Sequence, residues 1–283
     1  MLVGGNEVGT IEVTDSPAAA DFELALLSDI GTNRENNEDS CGHLIESPSE
    51  AVFVVADGVG GYEGGEVASR MAVDVTLETY HESAPALGPA KRLHRAVQRA
   101  NIEIHNKALA VPELRRMATT LTAATISGGV LYAVHCGDCR LYLVRHGRIQ
   151  QMTKDHTVIG ERVRMGLISE KDARVHPERS ALSRCLGREL IASLDRLTMP
   201  LRSGDRIVVC TDGLYGVLED RDIEHLCRGL APSDACRRLI DEANARGTAD
   251  NVTAAFLVTH NGAPDAGTPG WGARLRSLLR LGR

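Results

Sequence analysis

Residues Ala51 to Ser69 read AVFVVADGVGGYEGGEVAS, and the fold turns on how this stretch is understood. Val52 to Ala56 has the length and β-branched content of a buried strand. It ends on Asp57, after which Gly58, Gly60, Gly61, Gly64 and Gly65 free the backbone to turn closely. Val67, Ala68, Met71, Ala72 and Val75 then recur at helical spacing. A carboxylate therefore stands at the end of a buried strand, beside backbone able to fold around a metal ion or a phosphate. Three readings compete. One is a plain strand–turn–helix corner with Asp57 shaping the turn. A dinucleotide loop is the second, but G-x-G-x-x-G requires glycine where Glu63 stands, and Asp57 would repel a pyrophosphate. The third is a metal site with Asp57 and loop carbonyls as ligands. This segment alone leaves the corner and the metal open.

Working outward, the 283 residues are 43% hydrophobic and 25% charged, enough for a substantial core, and no linker divides the middle. One domain is expected. A net charge of −6 and only 3% aromatic residues argue against a nucleic-acid surface or a base-stacking platform. No apolar run approaches the roughly 18 residues of a membrane helix, and no signal peptide is evident at the N-terminus. The seven cysteines are odd in number, scattered and mostly inside apolar segments, the pattern of a reducing cytoplasm. Cys136 and Cys139 form an isolated C-x-x-C; two incidental cysteines account for it better than zinc or redox chemistry. The chain is expected to be a cytoplasmic monomer.

Residues 1–21 read as an N-terminal extension or a short edge strand, and Phe22 to Leu27 as a strand. The polar loop Ser28 to Asp39 follows, holding Arg34, Glu38 and Asp39. Such loops are usually just solvated. Pairing of the preceding strand beside Val52–Ala56 would bring these residues to Asp57. Pro89 to Ala110 has a helical apolar stripe, with Lys91, Arg92, Arg95, Arg99 and Lys107 expected to face away. Thr119–Ser127 and Val130–Cys136 form a hairpin around Gly128-Gly129, and Leu141–Val144 with Arg148–Met152 extend it into an antiparallel meander. Residues 153–187 are rich in charge and short helical signals, including a capping box at Ser169 and Asp172, and read as a movable flap. Asp205 to Cys210 is another buried strand ending in Thr211-Asp212-Gly213, the same device as Ala56-Asp57-Gly58. Helices over Glu219–Arg228 and Ser233–Arg246 precede Asp250-Asn251 and a last strand, Val252–Thr259. Residues 260–270 read as a linker, and Trp271 to Arg283 as a basic amphipathic tail able to touch a membrane surface or a partner, though fraying is the simpler account.

Glu38, Asp57, Asp212 and Asp250 now share a description: each is acidic and sits near a strand edge beside Gly or Asn. Like carboxylates resist sharing a site unless cations neutralise them. Oxygen-only ligation selects Mg²⁺ or Mn²⁺ over zinc. Two such ions would balance four carboxylates, and Arg34 would tip the site towards accepting a phosphate.

Ser28-Asp29 with Gly31, Arg34, Asn37-Glu38-Asp39 and Val55 to Gly61 resemble the opening motifs of the metal-dependent (type 2C) protein serine/threonine phosphatases in their bacterial form. Thr119-Thr120, Gly137-Asp138-Cys139-Arg140, Thr153-Lys154-Asp155-His156, Cys210 to Gly213 and Asp250 to Thr253 follow in the family's order, over residues 22–259. The resemblance implies an α+β fold, a four-layer α-β-β-α sandwich of two antiparallel sheets with a binuclear metal centre at one edge. It implies that Asp57 bridges two Mn²⁺ or Mg²⁺ ions. The Gly58 carbonyl and, through water, Glu38 would serve one ion; Asp212 and Asp250 would serve the other. Asp138 with Asp212 corresponds to a looser third site. Arg34 would grip phosphoryl oxygens, and Asp39 would orient the water that attacks phosphorus in line. No phospho-enzyme is expected. Val59 stands where many eukaryotic members carry a histidine that protonates the leaving group, so water would supply that proton. Gly216 replaces a further acid, which weakens the third site, and Cys139 replaces a serine. The implied substrates are phosphoserine and phosphothreonine proteins, with a cognate bacterial kinase. A pseudophosphatase that only binds phosphoproteins is the alternative, opposed by the intact acidic set; a two-metal nuclease is disfavoured by charge and composition.

Overall fold

In the computed structural model the chain is described over residues 11–13, 20–59, 64–174 and 176–262. The decisive stretch is β4 (Glu50–Val59), and its alternation explains the architecture. Val52, Val54 and Ala56 face one side, where they pack on Ala68, Ala72, Leu93 and Val97 of α1 (Gly64–Glu82) and α2 (Pro89–Ala110). Phe53 and Val55 face the other side and meet Phe22, Leu24, Leu141 and Val209 of a second sheet. A strand buried on both faces must read as a continuous apolar run, and it does.

The first sheet runs β1 (Ile11–Val13), β2 (Phe22–Asp29), β12 (Val252–Thr259), β11 (Arg206–Cys210), β8 (Arg140–Arg145), β9 (Arg148–Gln151). Spatial order in the second is β10 (Asp195–Pro200), β7 (Val130–Cys136), β6 (Leu121–Ser127), β4, β3 (Asp39–Ser47), with the two-residue β5 (Ala118–Thr119) pairing the end of β4. Every pairing is antiparallel. Outside the first sheet lie α5 (Asp212–Tyr215), α6 (Asp220–Cys227) and α7 (Pro232–Ala245), whose Leu239 and Ile240 pack on Val208, Phe256 and Ala25. Helices, sheet, sheet, helices: the expected α+β four-layer sandwich is what the chain forms.

Four details differ from the sequence reading. Strand β2 pairs with β12 in the first sheet, so the loop after it crosses to the second sheet and reaches Asp57 through β3, a strand whose Gly42 and polar residues gave it little apolar pattern. The meander is broken: β7 and β8 lie in different sheets, and Gly137 at φ 109° turns the chain between them. The charged strand β10 closes the second sheet's edge. Arg92, placed on the solvent face by its period, is buried; it bonds Glu50 at 2.8 Å and lies 4.0 Å over the Tyr80 ring. Between β9 and β10 stand α3 (Val158–Arg164) and α4 (Glu170–Arg174); Ser169 Oγ accepts from the Asp172 amide at 3.1 Å, half of the anticipated capping box, and donates to the Asp172 carboxylate at 2.7 Å. The tail Trp271–Arg283 and most of the expected linker fall outside the described residues.

Candidate active site

Antiparallel pairing places Asp39, the first residue of β3, directly opposite Asp57 near the end of β4. Opposed residues project from the same face, so the two carboxylates are neighbours by register. The Gly58 amide donates to the Glu38 carbonyl at 3.1 Å. A Cβ on Gly58 would collide with the Gly65 carbonyl and lie 2.6 Å from that of Glu38, so only glycine lets three segments close here. The first sheet repeats the arrangement. Thr211 donates its amide to the Thr253 carbonyl at 3.1 Å, and Asp212 then opens α5. A Cβ on Gly213 would strike the carbonyl of Asn251. Asp250 and Asn251 lead into β12 beside them.

Asn251 clamps the loop that carries Arg34 and Glu38. Its side-chain amide donates to the carbonyls of Ile30 (2.8 Å) and Asn36 (3.0 Å), and its oxygen accepts from the Glu38 amide (2.9 Å). Arg34 bonds Asp250 at 2.7 Å, a pair with both side chains largely in solvent. On Asp39, Oδ2 accepts from the hydroxyls of Thr211 (2.8 Å) and Thr253 (2.7 Å). Thr211, Thr253 and Asn251 sat inside motifs of the sequence but received no role there. The signal was available: each is a polar residue on an apolar strand or at its end.

The electrostatics mark the cluster. Burial pushes the Asp39 carboxyl up to about 7 even though the two threonine hydroxyls favour its charged form. Asp212 is pushed up to about 6, first by burial and then by Asp250. Asp57 rises well above the ordinary carboxylate range, through burial and then Asp39, Asp212, Asp138 and Asp250. Burial, then Asp212 and Asp155, raises Asp138; Glu38 is raised by burial against an opposing effect of Arg34. The structure therefore brings Glu38, Asp39, Asp57, Asp138, Asp212 and Asp250 within electrostatic reach of one another. It does not draw them onto one point: among the described residues, no three acidic, histidine or cysteine side chains stand at ligand spacing. Unneutralised like charges favour that separation.

The donor set fits hard divalent cations. Among the described residues no protein hydrogen bond reaches the carboxylates of Asp57 or Asp212, although both are half-buried and desolvated. Buried anions without donors are costly unless a cation supplies the partner. All the donors are oxygens, as Mn²⁺ or Mg²⁺ prefer. Beside Asp138 the charge is already balanced: Arg140 forks onto Asp155, with contacts of 2.7 to 3.2 Å, and stacks 3.7 Å over Tyr215, whose hydroxyl donates to the Asp138 carbonyl at 3.1 Å. Cys136 and Cys139 point into different cores, and burial pushes the Cys136 thiol up to about 12 and raises that of Cys139. They are packing residues.

With fold and acids in place, the comparison with known proteins is direct. The family profile described as protein phosphatase 2C matches residues 31–254. The chain belongs to this family. The serine/threonine phosphatase stp of Listeria innocua is 32% identical over 238 residues, spanning 83% of this chain and 94% of that protein. PstP, a serine/threonine protein phosphatase of Mycobacterium tuberculosis, is 37% identical over 234 residues, spanning 82% of this chain and 44% of PstP. The crystal structure of the M. tuberculosis phosphatase superposes with a TM-score of 0.77 at 34% identity, covering 85% of this chain and 99% of that one. A second structure, of the PstP catalytic domain in complex with two manganese ions, superposes at 0.74 with 32% identity, covering 85% and 99%.

Proposed function

We propose that this protein hydrolyses phosphoserine and phosphothreonine on proteins, with two Mn²⁺ or Mg²⁺ ions as cofactors, and that it opposes a bacterial serine/threonine kinase in the cytoplasm. One observation carries the reading: acids from both sheets lie within electrostatic reach of one another, Asp57 and Asp212 with no protein hydrogen bond or salt bridge on their carboxylates among the described residues, beside the exposed guanidinium of Arg34. Relatives that are serine/threonine phosphatases, one of them seen with two manganese ions, support it. Asp57, Glu38, the Gly58 carbonyl, Asp212 and Asp250 would hold the two ions. Asp138 with Asp212 would offer a looser third position. Ions bound there lower the pKa of water into the neutral range and offset phosphoryl charge.

The chain's own residues do the rest. Arg34 leaves its solvent-screened partner Asp250 at little cost and presents a planar fork to two phosphoryl oxygens. Asp39, anchored through Oδ2, keeps Oδ1 to accept a hydrogen bond from the attacking water. The water oxygen bonds to phosphorus in line and releases one proton to solvent, the bond to the serine or threonine oxygen breaks, and solvent protonates the leaving alkoxide. Val59 offers no acid for that last step. A Mn²⁺-dependent assay on phosphoserine, phosphothreonine and phosphotyrosine peptides tests the reading. Turnover of the first two, abolished by chelator, is expected; binding without turnover would establish a pseudophosphatase instead.

A further inference from the structure

Asp39 is the end point of a ring of hydrogen bonds that runs in one direction. Its own amide donates to Asn37 Oδ1 at 3.1 Å, which fixes that amide's orientation, because a backbone N–H only donates. Asn37 Nδ2 then donates to Ser28 Oγ at 2.9 Å. Ser28 Oγ and Thr253 Oγ1 lie 2.7 Å apart, and Thr253 Oγ1 donates its single proton to Asp39 Oδ2 at 2.7 Å. Ser28 must therefore be the donor to Thr253. A side branch joins the same oxygen: the Thr253 amide donates to Thr211 Oγ1 at 3.0 Å, and Thr211 Oγ1 donates to Asp39 Oδ2 at 2.8 Å.

Every hydroxyl proton in this ring is committed, and each bond polarises the next towards the carboxylate. Two donors on Oδ2 hold χ1 and χ2 of Asp39. Among the described residues no protein donor reaches Oδ1, so that oxygen is the one left for a ligand in the site. The ring also ties strands from both sheets, since Ser28 and Thr253 belong to the first sheet and Asp39 opens β3 in the second. Hydrophobic packing between the sheets needs none of it. We propose that Ser28, Thr253 and Thr211 are positioning residues that lock Asp39 with Oδ1 aimed at the attacking water, so that the placement of this carboxylate depends on the inter-sheet ring. The inference rests on the phosphatase reading above and names which groups outside the acidic set govern its rate.

Thr253→Val keeps the side-chain shape and removes the donor. On a phosphothreonine peptide at saturating Mn²⁺ it is expected to lower kcat tenfold or more while KM changes less than twofold; Thr253→Ser is expected to restore kcat to within threefold of wild type. A double-mutant cycle separates positioning from general damage: in an Asp39→Asn background, Thr253→Val is expected to change kcat less than twofold. The proposal is overturned if folded Thr253→Val keeps kcat within twofold, or if its loss is as large with Asp39 already replaced. Where Thr253→Val does not fold, Thr211→Val and Ser28→Ala, each alone and with Asp39→Asn, are judged by the same criteria. A wild-type protein without turnover would overturn the phosphatase reading itself, and this proposal with it.

Discussion

Strand β11 carries a carboxylate at each end, and the two are treated in opposite ways. Asp205, just before it, has a side chain only 2% exposed. It accepts from Arg145 Nε at 2.8 Å and from the Arg202 amide at 2.7 Å, and Arg145 Nη2 completes the fork. Asp212, just after it, has no protein donor among the described residues, and its carboxyl is pushed up to about 6. The chain does not lack cations; it has 32 lysines and arginines, and it also spends Arg140 on Asp155 and Arg92 on Glu50. Protein counter-ions are supplied at Asp205, Asp155 and Glu50; at Asp212, a metal ligand in the proposed function, none forms a salt bridge among the described residues. A buried charge without a partner lowers stability at the acidic end, and a cation bound there would restore it.

Exchanging the two kinds of carboxylate for neutral side chains should give mirror-image results. Asp57→Asn is expected to cut kcat about 10³-fold or more, since it removes the acid the other carboxylates surround. Its melting temperature in chelator should equal or exceed that of wild type, because a buried charge without a partner has gone. Asp205→Ala should do the reverse. Stranding Arg145 beside a buried gap should cost about 3 kcal/mol in urea melts, with kcat per folded molecule unchanged. Loss of stability in Asp57→Asn would break the contrast.

The pH dependence of the chelated protein sharpens it further. The Asp212 carboxyl titrates near 3.8 when unfolded and at about 6 when folded. Between those values the native state holds more protons than the unfolded state, so stability falls as pH rises through this window and stays lowered above it. Asp39, at about 7, carries the fall onward to neutrality. Asp212→Asn should therefore raise stability at pH 7.5 by on the order of 2–3 kcal/mol and flatten the decline, as measured by chemical melts from pH 4.5 to 8. Excess Mn²⁺ should stabilise the wild type and leave Asp212→Asn almost unmoved.

Much of this was legible in the sequence. Val52–Ala56 and Ile207–Cys210 are apolar runs with an Asp-Gly behind each, and two such runs in separate sheets define where the acids meet. The fold class was what the family resemblance implied, and the hairpins and amphipathic helices fitted it. What escaped is what local pattern does not encode. Strand β3 contains Gly42 and His43 and pairs through its backbone rather than through an apolar stripe. The break between β7 and β8 depends on a single positive-φ glycine, Gly137. Arg92 sits at a helical position that reads as solvent, and partners outside its own helix, Glu50 and Tyr80, explain its burial. Thr211 and Thr253 gain meaning through Asp39, 172 and 214 residues away in the chain. Long-range polar partners leave no periodicity to read.

The smallest stability effect belongs to Arg34, and it discriminates between two jobs for that residue. Its bond to Asp250 is short, but the side chains are 47% and 39% exposed, so the pair contributes about 0–1 kcal/mol. Arg34→Ala should accordingly leave urea melts within about 1 kcal/mol of wild type. If the guanidinium serves the phosphoryl group, kcat/KM on a phosphopeptide should still fall at least about tenfold, because a charge-assisted fork is lost from the substrate rather than from the fold. Arg34→Lys keeps the charge without the fork and should lie between the two. A variant as active as wild type but markedly less stable would assign Arg34 to the company of Arg145, a structural counter-ion that happens to border the site.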